Sequence, residues 1–246
     1  MDNFPKIGLI GFGNMGKEIK RVADGMGIEI TDVFDINDKI VSDKKYQFDV
    51  AIDFTEPKTV TENVRTIAKL GKNIVIGTTG WDEQKQEVEK IVFSENIGLV
   101  YGSNFSIGMM MFSQLVKEAS KLVDSFKDYD IMLHEIHHRH KKDSPSGTAL
   151  SLAKIILENV NSKKYILSRT SEGPIDNGAL HVTSTRGGEI FGKHSIYLDS
   201  LADTIELTHN AKNRSGFAQG ALLAAKWINY KKGIFEFNDV FKDLSI

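Results

Sequence analysis

Four of the seven histidines in the chain lie in one ten-residue segment, His134–Asp143, which also carries three cations and two acids. Histidine changes charge near neutral pH, so this segment is suited to proton transfer. It runs into Ser144–Thr148, where a Ser-Pro turn leads to a helix start. The free N–H groups and two hydroxyls of that start could hold a carboxylate or phosphate. Taken alone, the same residues favour a solvated basic loop before a capped helix, so this interpretation stays open.

The start of this segment, His134-Glu135-Ile136-His137-His138, formally matches the H-E-x-x-H signature of zinc proteases. That chemistry requires a helix, because the two histidines must share one face to bind one metal. The preceding residues predict a strand, which would separate His134 and His138 by roughly 13 Å. The sequence therefore predicts no metal at this motif.

A glycine loop near the N-terminus is typical of dinucleotide binding. It lies between a predicted strand and a predicted helix, the context that gives G-x-G-x-x-G its meaning. Its glycines allow a tight turn and let the backbone approach a pyrophosphate at the helix N-terminus. The alternative is a glycine turn in a flavodoxin-like sheet that binds no cofactor. The loop consists of Gly11, Phe12, Gly13, Asn14, Met15 and Gly16.

Asp35 follows Gly16 by 19 residues, close to the spacing of about 20 expected for an acid that binds the ribose hydroxyls. In the absence of a cofactor, it would be a cap at the strand end. A carboxylate there repels a 2′-phosphate, and Ile36 beside it offers no guanidinium to hold one. Lys39 is near enough to leave NADPH open. We expect NADH to be preferred over NADPH.

Short apolar runs alternate with amphipathic stretches through the first hundred residues. The runs are rich in Ile and Val and predict buried parallel strands, whereas the stretches between them predict helices. This βαβ succession favours a doubly wound parallel sheet with right-handed crossovers. The predicted strands are Ile7–Ile10, Ile28–Phe34, Val50–Phe54, Ile74–Ile76 and Ile97–Tyr101, and the predicted helices are Glu18–Met26, Thr59–Leu70 and Trp81–Phe93.

The pattern changes after Ser106 to longer helices and to strands separated by glycine-rich turns. Strands in sequence favour an open antiparallel or mixed sheet in a separate α+β layer. The predicted helices are Ile107–Phe126, Thr148–Val160 and Phe217–Tyr230, the last expected to pack on the first domain. The predicted strands are Tyr129–Ile136, Ala179–Thr185, His194–Leu198 and Thr204–His209.

Composition excludes several classes of protein. The 246 residues include 31 Lys and Arg against 33 Asp and Glu, a net charge of −2 that gives no bulk attraction to nucleic acid or to an anionic membrane. Cysteine is absent, which excludes disulfides and thiolate chemistry and suits a cytoplasmic protein. The N-terminus is interpreted as a first strand, not a secretory signal, and no apolar stretch reaches the roughly 18 residues of a membrane span.

Together these motifs closely resemble the 4-hydroxy-tetrahydrodipicolinate reductase (dihydrodipicolinate reductase) family of the diaminopimelate and lysine pathway. The family signature, Glu-x-His-His-x-x-Lys-x-Asp-x-Pro-Ser-Gly-Thr-Ala, is present without a gap from Glu135 to Ala149. Further family-like pieces cover almost the whole chain: Asp53-Phe54-Thr55, Gly77-Thr78-Thr79-Gly80, Asn104-Phe105-Ser106, Thr185-Arg186-Gly187-Gly188-Glu189, and Asn213-Arg214 through Gly220-Ala221.

The resemblance implies site residues in both halves of the chain. It implies that His137 is the catalytic acid or base and that Lys141 is its catalytic partner, which also contacts substrate. The substrate carboxylates would be held by His138, Ser146, Gly147 and Thr148. The cofactor would contact the glycine loop, Asp35, and two loops on the nicotinamide side, Gly77-Thr78-Thr79 and Gly102-Ser103-Asn104-Phe105. Some members carry an arginine where Ile36 stands and an extra basic residue in the loop around Asn14.

The resemblance also implies an architecture and a reaction. A Rossmann domain, residues 1–106 and 213–246, would hold the cofactor, and residues 107–212 would form a substrate and oligomerisation domain of a homotetramer. The reaction would be NAD(P)H-dependent reduction of a cyclic imine dicarboxylate. Two alternatives stay open: another NAD(P)-linked amino-acid dehydrogenase of two domains, and a non-catalytic dinucleotide sensor.

Overall fold

A computed structural model describes residues 4–244 of the chain. Two compact units make up the fold: one contains the chain up to Ile107 and from Arg214 onward, and the other is Gly108–Asn213. Residues 1–3 and 245–246, which the predicted first domain also includes, lie outside the described residues. The units are named here the first and second unit.

The first unit is built on a six-stranded sheet in which every described strand pair is parallel. The strand order β11-β5-β4-β3-β1-β2 reverses direction at β1, as in a doubly wound sheet. The central strands are buried on both faces, which explains their continuous apolar sequence. The strands are β1 (Ile7–Ile10), β2 (Ile30–Phe34), β3 (Val50–Asp53), β4 (Asn73–Ile76), β5 (Gly98–Tyr101) and β11 (Gly233–Glu236).

Helices of the first unit cover this sheet. The last long helix, α6, packs on the sheet and beside α1. Buried Asn73 links α6 to the sheet, because its side-chain amide donates to the carbonyl of Ile228 (2.6 Å) and its Oδ1 accepts from the Gly98 amide (2.7 Å). The helices are α1 (Asn14–Met26), α2 (Val60–Lys69), α3 (Lys85–Ser94), α6 (Ser215–Ile228) and α7 (Phe237–Leu244).

The second unit has a five-stranded mixed sheet of order β10-β9-β6-β8-β7. Strand β6 pairs antiparallel with β9 and parallel with β8, so it lies at the centre. Apolar residues of α4 (Ile107–Ser125) and α5 (Gly147–Asn159) form one core with the buried face of this sheet. The strands are β6 (Asp130–His137), β7 (Tyr165–Leu167), β8 (Ala179–Arg186), β9 (Gly192–Asp199) and β10 (Thr204–Ala211).

The predicted fold class is confirmed: a doubly wound parallel sheet of the Rossmann type plus an α+β unit with a mixed sheet. Three short elements were not predicted, namely β7, β11 and α7. Strand β11 has four residues and gains its stability from pairing with β5 at the sheet edge, which local sequence does not reveal. Among residues 4–244, no helix is both long enough and apolar enough to cross a membrane.

Gly220 allows α6 to approach the end of β5, and this generates a stability prediction. A Cβ at Gly220 would overlap the carbonyl oxygen of Phe105 and lie 3.0 Å from the Phe237 ring. We expect Gly220→Ala to destabilise the protein by about 1–3 kcal/mol, because the helix must shift. Gly216→Ala in the same helix is the matched control, since its Cβ would have no neighbour closer than 3.6 Å. Urea unfolding followed by circular dichroism tests this, and equal midpoints for the two variants would contradict it.

Candidate active site

The glycine loop forms a tight turn from β1 into α1. Gly11 has φ +92°, and a Cβ there would overlap the Phe54 carbonyl oxygen, so glycine is required. A Cβ at Gly16 would overlap the Gly11 carbonyl oxygen, which brings helix and strand close together. Helix α1 begins at Asn14, four residues before the predicted start, and Gly13 precedes it with no side-chain cap. The first N–H groups of α1 are therefore available to an anion such as a pyrophosphate.

Asp35 lies in an exposed turn directly after β2. Its Oδ1 accepts a hydrogen bond from the Asn37 amide (3.0 Å), and its own amide donates to the Asp38 carbonyl (3.1 Å). Ile36, 84% exposed, projects beside it, and Lys39 is also exposed. Two carboxylates thus belong to one short turn, and this local charge favours a ribose hydroxyl over a phosphate.

A buried carboxylate, Asp53, organises the ends of β3 and β4. Its Oδ1 accepts from the Thr55 amide (3.0 Å) and from the Thr78 hydroxyl (3.2 Å), and its Oδ2 accepts from the Asn63 amide (2.8 Å). Burial raises the pKa of the Asp53 carboxyl, while these hydrogen bonds pull the pKa down. Thr78 is therefore held toward the protein, whereas Thr79 beside it is exposed.

The remaining predicted cofactor residues follow β4 and β5. Gly77 leaves room for the Phe54 ring, which a Cβ would overlap. Phe105 is buried against the rings of Phe54 and Phe237, so its side chain supports the loop from within. In the same loop Gly102 is half-buried, Ser103 is exposed, and the side chain of Asn104 accepts from the Ser106 amide (2.8 Å).

In the second unit, the carboxylate of Glu135 is completely buried at the end of β6. Its Oε1 accepts three hydrogen bonds: from the Ser184 hydroxyl (2.7 Å), from an Arg186 N–H (2.7 Å) and from the Ser146 amide (3.0 Å). Its Oε2 lies 2.5 Å from Nδ1 of His137. Burial by itself raises the pKa of Glu135, but these partners outweigh it and hold the pKa well below its ordinary value. Glu135 is therefore ionised.

His137 lies two residues beyond Glu135, so the period of the strand places both side chains on the buried face. Its ring lies 5.2 Å from the ring of His194, centroid to centroid. On the Nε2 side the ring meets Gly192, where an added Cβ would be only 2.9 Å from Nε2. The His134 side chain belongs to the other face and contacts the Thr183 hydroxyl, so His134 and Glu135 do not share a site.

One row of the sheet carries polar side chains across four strands on this buried face. Glu135 is paired with Ser184 on β8 and with His194 on β9, and His194 is paired with His209 on β10. His194 Nε2 lies 3.2 Å from the Ser146 hydroxyl. Burial and the neighbouring His137 lower the pKa of His194 to about 4, so His194 is neutral at pH 7.

Ser146 begins α5 as an N-cap, because its hydroxyl accepts from the Ala149 amide (3.1 Å). Its side chain is thus buried, whereas Gly147 is exposed and Thr148 is half-buried. Lys141 pairs with the Asp143 carboxylate (2.8 Å), and the Gly147 amide also hydrogen-bonds that carboxylate. The hydrogen bond from Lys141 has the largest effect on the pKa of the Asp143 carboxyl and lowers it. Burial raises that pKa, but the other contacts lower it further, so the pKa lies below its ordinary value.

The backbone after β6 fixes the position of the histidine segment. The His138 amide donates to the Ile190 carbonyl (2.7 Å), and the Gly187 amide donates to the His137 carbonyl (3.0 Å). The half-buried side chain of His138 has a buried Nδ1 with no hydrogen-bonding partner among residues 4–244. The segment is therefore anchored by the glycine-rich turn between β8 and β9.

Glu135, His137 and His194 are close enough together to be considered as metal ligands. The 2.5 Å separation of Nδ1 and Oε2 fits a shared proton better, because ligands around one Zn²⁺ at about 2.0–2.1 Å stand farther apart. The Arg186 guanidinium on the same carboxylate also opposes a cation. The geometry thus describes a carboxylate in direct contact with an imidazole.

Sequence reasoning missed the roles of three residues of this site: Glu135, Arg186 and His194. Glu135 was considered as part of a metal motif and as the first residue of the family signature, with no role of its own. The available signal was the spacing of Glu135 and His137, which puts two polar side chains on the same face of β6 as buried Ile131 and Leu133. Buried polar groups require partners, so that spacing predicts a network.

The chain matches one family of known proteins along nearly its whole length. Residues 5–105 match the family model described as "Dihydrodipicolinate reductase, N-terminus", and residues 108–241 match "Dihydrodipicolinate reductase, C-terminus". The 4-hydroxy-tetrahydrodipicolinate reductase of Christiangramia forsetii is 38% identical over 240 residues, 97% of this chain and 98% of that protein. The reductase of the same name from Methanoregula boonei is 37% identical over 244 residues, covering 93% of this chain and 94% of that protein.

Solved structures give the same fold. A dipicolinate-bound dihydrodipicolinate reductase from Paenisporosarcina sp. TG-14 aligns with a TM-score of 0.76 at 23% identity, over 96% of this chain and 99% of that chain. An amine dehydrogenase from Mycobacterium smegmatis aligns with a TM-score of 0.60 at 9% identity, over 96% of each chain. At these identities the likeness concerns the fold alone.

Buried His194 predicts a loss of stability in mild acid. Its pKa is about 4 in the folded protein against 6.5 ordinarily, so between these pH values only the unfolded chain takes up a proton there. The free energy of unfolding should fall by up to about 3 kcal/mol from this group as the pH drops from 6.5 to 4. Urea unfolding at a series of pH values should show a shallower dependence for His194→Gln. His140→Gln, at an exposed histidine, is the control, and a His194→Gln slope equal to that of the wild type would contradict the prediction.

Proposed function

The chain belongs to the dihydrodipicolinate reductase family, and from this membership we propose how its own residues carry out the reaction. It is an oxidoreductase that reduces 4-hydroxy-tetrahydrodipicolinate in diaminopimelate and lysine biosynthesis, with a nicotinamide dinucleotide as cofactor. The observation that carries the residue assignment is the buried Glu135–His137 pair next to the N-terminus of α5.

The substrate class explains why a proton donor is needed. Loss of the hydroxyl from the cyclic imine leaves a carbon–carbon double bond conjugated to C=N. A nicotinamide held by the first unit would supply a hydride to the far carbon of this conjugated system, which would leave an enamine. The neighbouring carbon must then gain a proton, and His137 is proposed to donate it. General acid catalysis of this kind contributes typically about 10²–10⁴-fold.

The substrate carboxylates are proposed to bind where Lys141 meets the start of α5. The structure supports this because the Lys141 ammonium and the Gly147 amide already hold one carboxylate, that of Asp143. His138 and Thr148, both half-buried, complete the proposed contacts with the substrate. The Ser146 side chain faces inward as the N-cap, so its proposed part is to shape the helix N-terminus, whose dipole favours an anion.

The cofactor is proposed to bind the first unit, with its pyrophosphate on the glycine turn and its ribose on Asp35. The loops Gly77-Thr78-Thr79 and Gly102-Ser103-Asn104-Phe105 are proposed to line the nicotinamide side. The residues fit such a group: the turn cannot accept a Cβ at Gly11 or Gly16, and α1 starts without a side-chain cap. The turn that contains Asp35 offers two carboxylates and the apolar Ile36, so NADH is the proposed reductant.

Assembly as a homotetramer through the second unit and location in the cytoplasm are further proposals. The first is supported by the family resemblance and the second by the absence of cysteine. Light scattering on the purified chain measures the first directly, and a mass of one or two chains would overturn it.

Substitution of His137 and substitution of Lys141 are expected to change the kinetic constants in different ways. His137→Gln should lower kcat by about tenfold or more while NADH binding is unchanged, because only the proton donor is lost. Lys141→Ala should both raise KM for the substrate and lower kcat. Lys142→Ala, which removes the same charge at an exposed neighbour, is the control. NADH absorbance with enzymatically generated substrate measures these values, and unchanged turnover of His137→Gln would remove it from the acid role.

Cofactor preference is tested at Asp35. The wild type should show a higher kcat/KM with NADH than with NADPH, and Asp35→Ala should raise KM for NADH and reduce the preference. Asp24→Ala removes the same charge in the last turn of α1, far from the glycine turn, and should leave the preference unchanged. A wild-type advantage with NADPH would refute this assignment without affecting that of His137.

A further inference from the structure

Glu135 contacts His137 through one carboxylate oxygen, Oε2, while its three other partners contact Oε1. Nδ1 of His137 and Oε2 of Glu135 lie 2.5 Å apart, and neither atom has another hydrogen-bonding partner among residues 4–244. Both side chains are nearly or completely removed from solvent. A carboxylate interacts with a neighbouring N–H group much more strongly in such surroundings than at the surface.

From this geometry we propose that Glu135 is the positioning residue that holds the Nδ1 proton of His137 inward and so leaves Nε2 as the nitrogen that donates to the substrate. The inference rests on the proposed function of His137 as the acid. Glu135 itself donates nothing to substrate and acts only through the imidazole.

The three donors on Oε1 determine what Glu135 can do. The Ser184 hydroxyl, an Arg186 N–H and the Ser146 amide all point hydrogen atoms at that oxygen. They fix the carboxylate in its plane and keep it ionised, so Oε2 must accept from His137. Nδ1 is consequently the proton-bearing nitrogen that faces inward, and Nε2 is the nitrogen left for exchange with substrate.

The other groups around the ring agree with a transient imidazolium. His194 on β9 is neutral at pH 7, so it adds no competing positive charge. Arg186 on β8 pairs with the other oxygen, Oε1, of the same carboxylate, and Lys141 pairs with Asp143. The Nε2 side of the ring packs on Gly192, where a side chain would press on that nitrogen. When His137 gives its Nε2 proton to the enamine carbon, a neutral ring with a proton on Nδ1 remains, and solvent later restores the lost proton.

Glu135→Gln is the decisive variant because the three donors dictate its orientation. The amide oxygen must occupy the Oε1 position, so the NH₂ group faces Nδ1 and donates to it. The His137 ring then carries its single proton on Nε2 and would have to become an anion to give it away. We expect kcat to fall by about 100-fold or more and KM for the substrate and the Kd for NADH to change less than about threefold.

Thr183→Ala is the matched control. Thr183 lies next to Ser184 on β8, but its hydroxyl contacts His134 on the other face of the sheet, so all contacts of Glu135 stay in place. We expect kcat within about threefold of the wild type even if the melting temperature falls. A loss equal to that of Glu135→Gln would mean that disturbance of the sheet alone lowers activity and would overturn the inference.

Two further measurements separate positioning from structural damage. In a His137→Gln background, adding Glu135→Gln should cause no further loss of kcat, because Glu135 acts only through the imidazole. Proton–nitrogen correlation spectra of the His137 ring should show the proton on Nδ1 in the wild type and on Nε2 in Glu135→Gln. Additive losses, or an unchanged tautomer, would overturn the inference.

Failure of the proposed function has a different signature. If His137→Gln retains full activity, the acid assignment itself is wrong, whatever Glu135 does. If His137→Gln is impaired and Glu135→Gln is fully active, the acid assignment stands and only the positioning role falls.

Discussion

The second unit depends on keeping one ionised carboxylate, that of Glu135, out of water. An isolated buried charge is costly, so four partners must surround it: Ser184 and Arg186 from β8, the amide at the start of α5, and His137 from its own strand. Satisfying that charge fixes where α5 begins relative to the sheet. The same requirement brings the His137 imidazole and the N-terminus of α5 to one carboxylate.

The first unit solves a similar problem with Asp53. This carboxylate is also completely buried at the end of a central strand, but its partners are neutral hydroxyl and amide groups from the adjoining loops and from α2. Burial raises the pKa of Asp53, whereas charged partners hold the pKa of Glu135 low. Asp53 thus orders its surroundings through neutral hydrogen bonds, whereas Glu135 also pairs with the charged Arg186.

Local sequence was sufficient for most of the architecture because buried parallel strands and amphipathic helices leave clear periodic patterns. The turn glycines could be recognised by a second signal, since a tight approach of backbones restricts the residue type. Strand β11 and the short β7 escaped because pairing at a sheet edge, not propensity, stabilises them. The partners of Glu135 escaped because Ser184, Arg186 and His194 come from strands about fifty to sixty residues away. Only the register of β6 with β8 and β9 puts them beside Glu135.

The pair formed by Lys141 and Asp143 has a consequence for how a ligand enters. The Lys141 ammonium, at the cationic end of the proposed anion pocket, already pairs with the carboxylate of Asp143 in the same loop. Entry of a dicarboxylate is then an exchange of one anion for another, in which the loop carboxylate is released to solvent. Such an internal competitor, held at high effective concentration, favours ligands that bring two acidic groups over those that bring one.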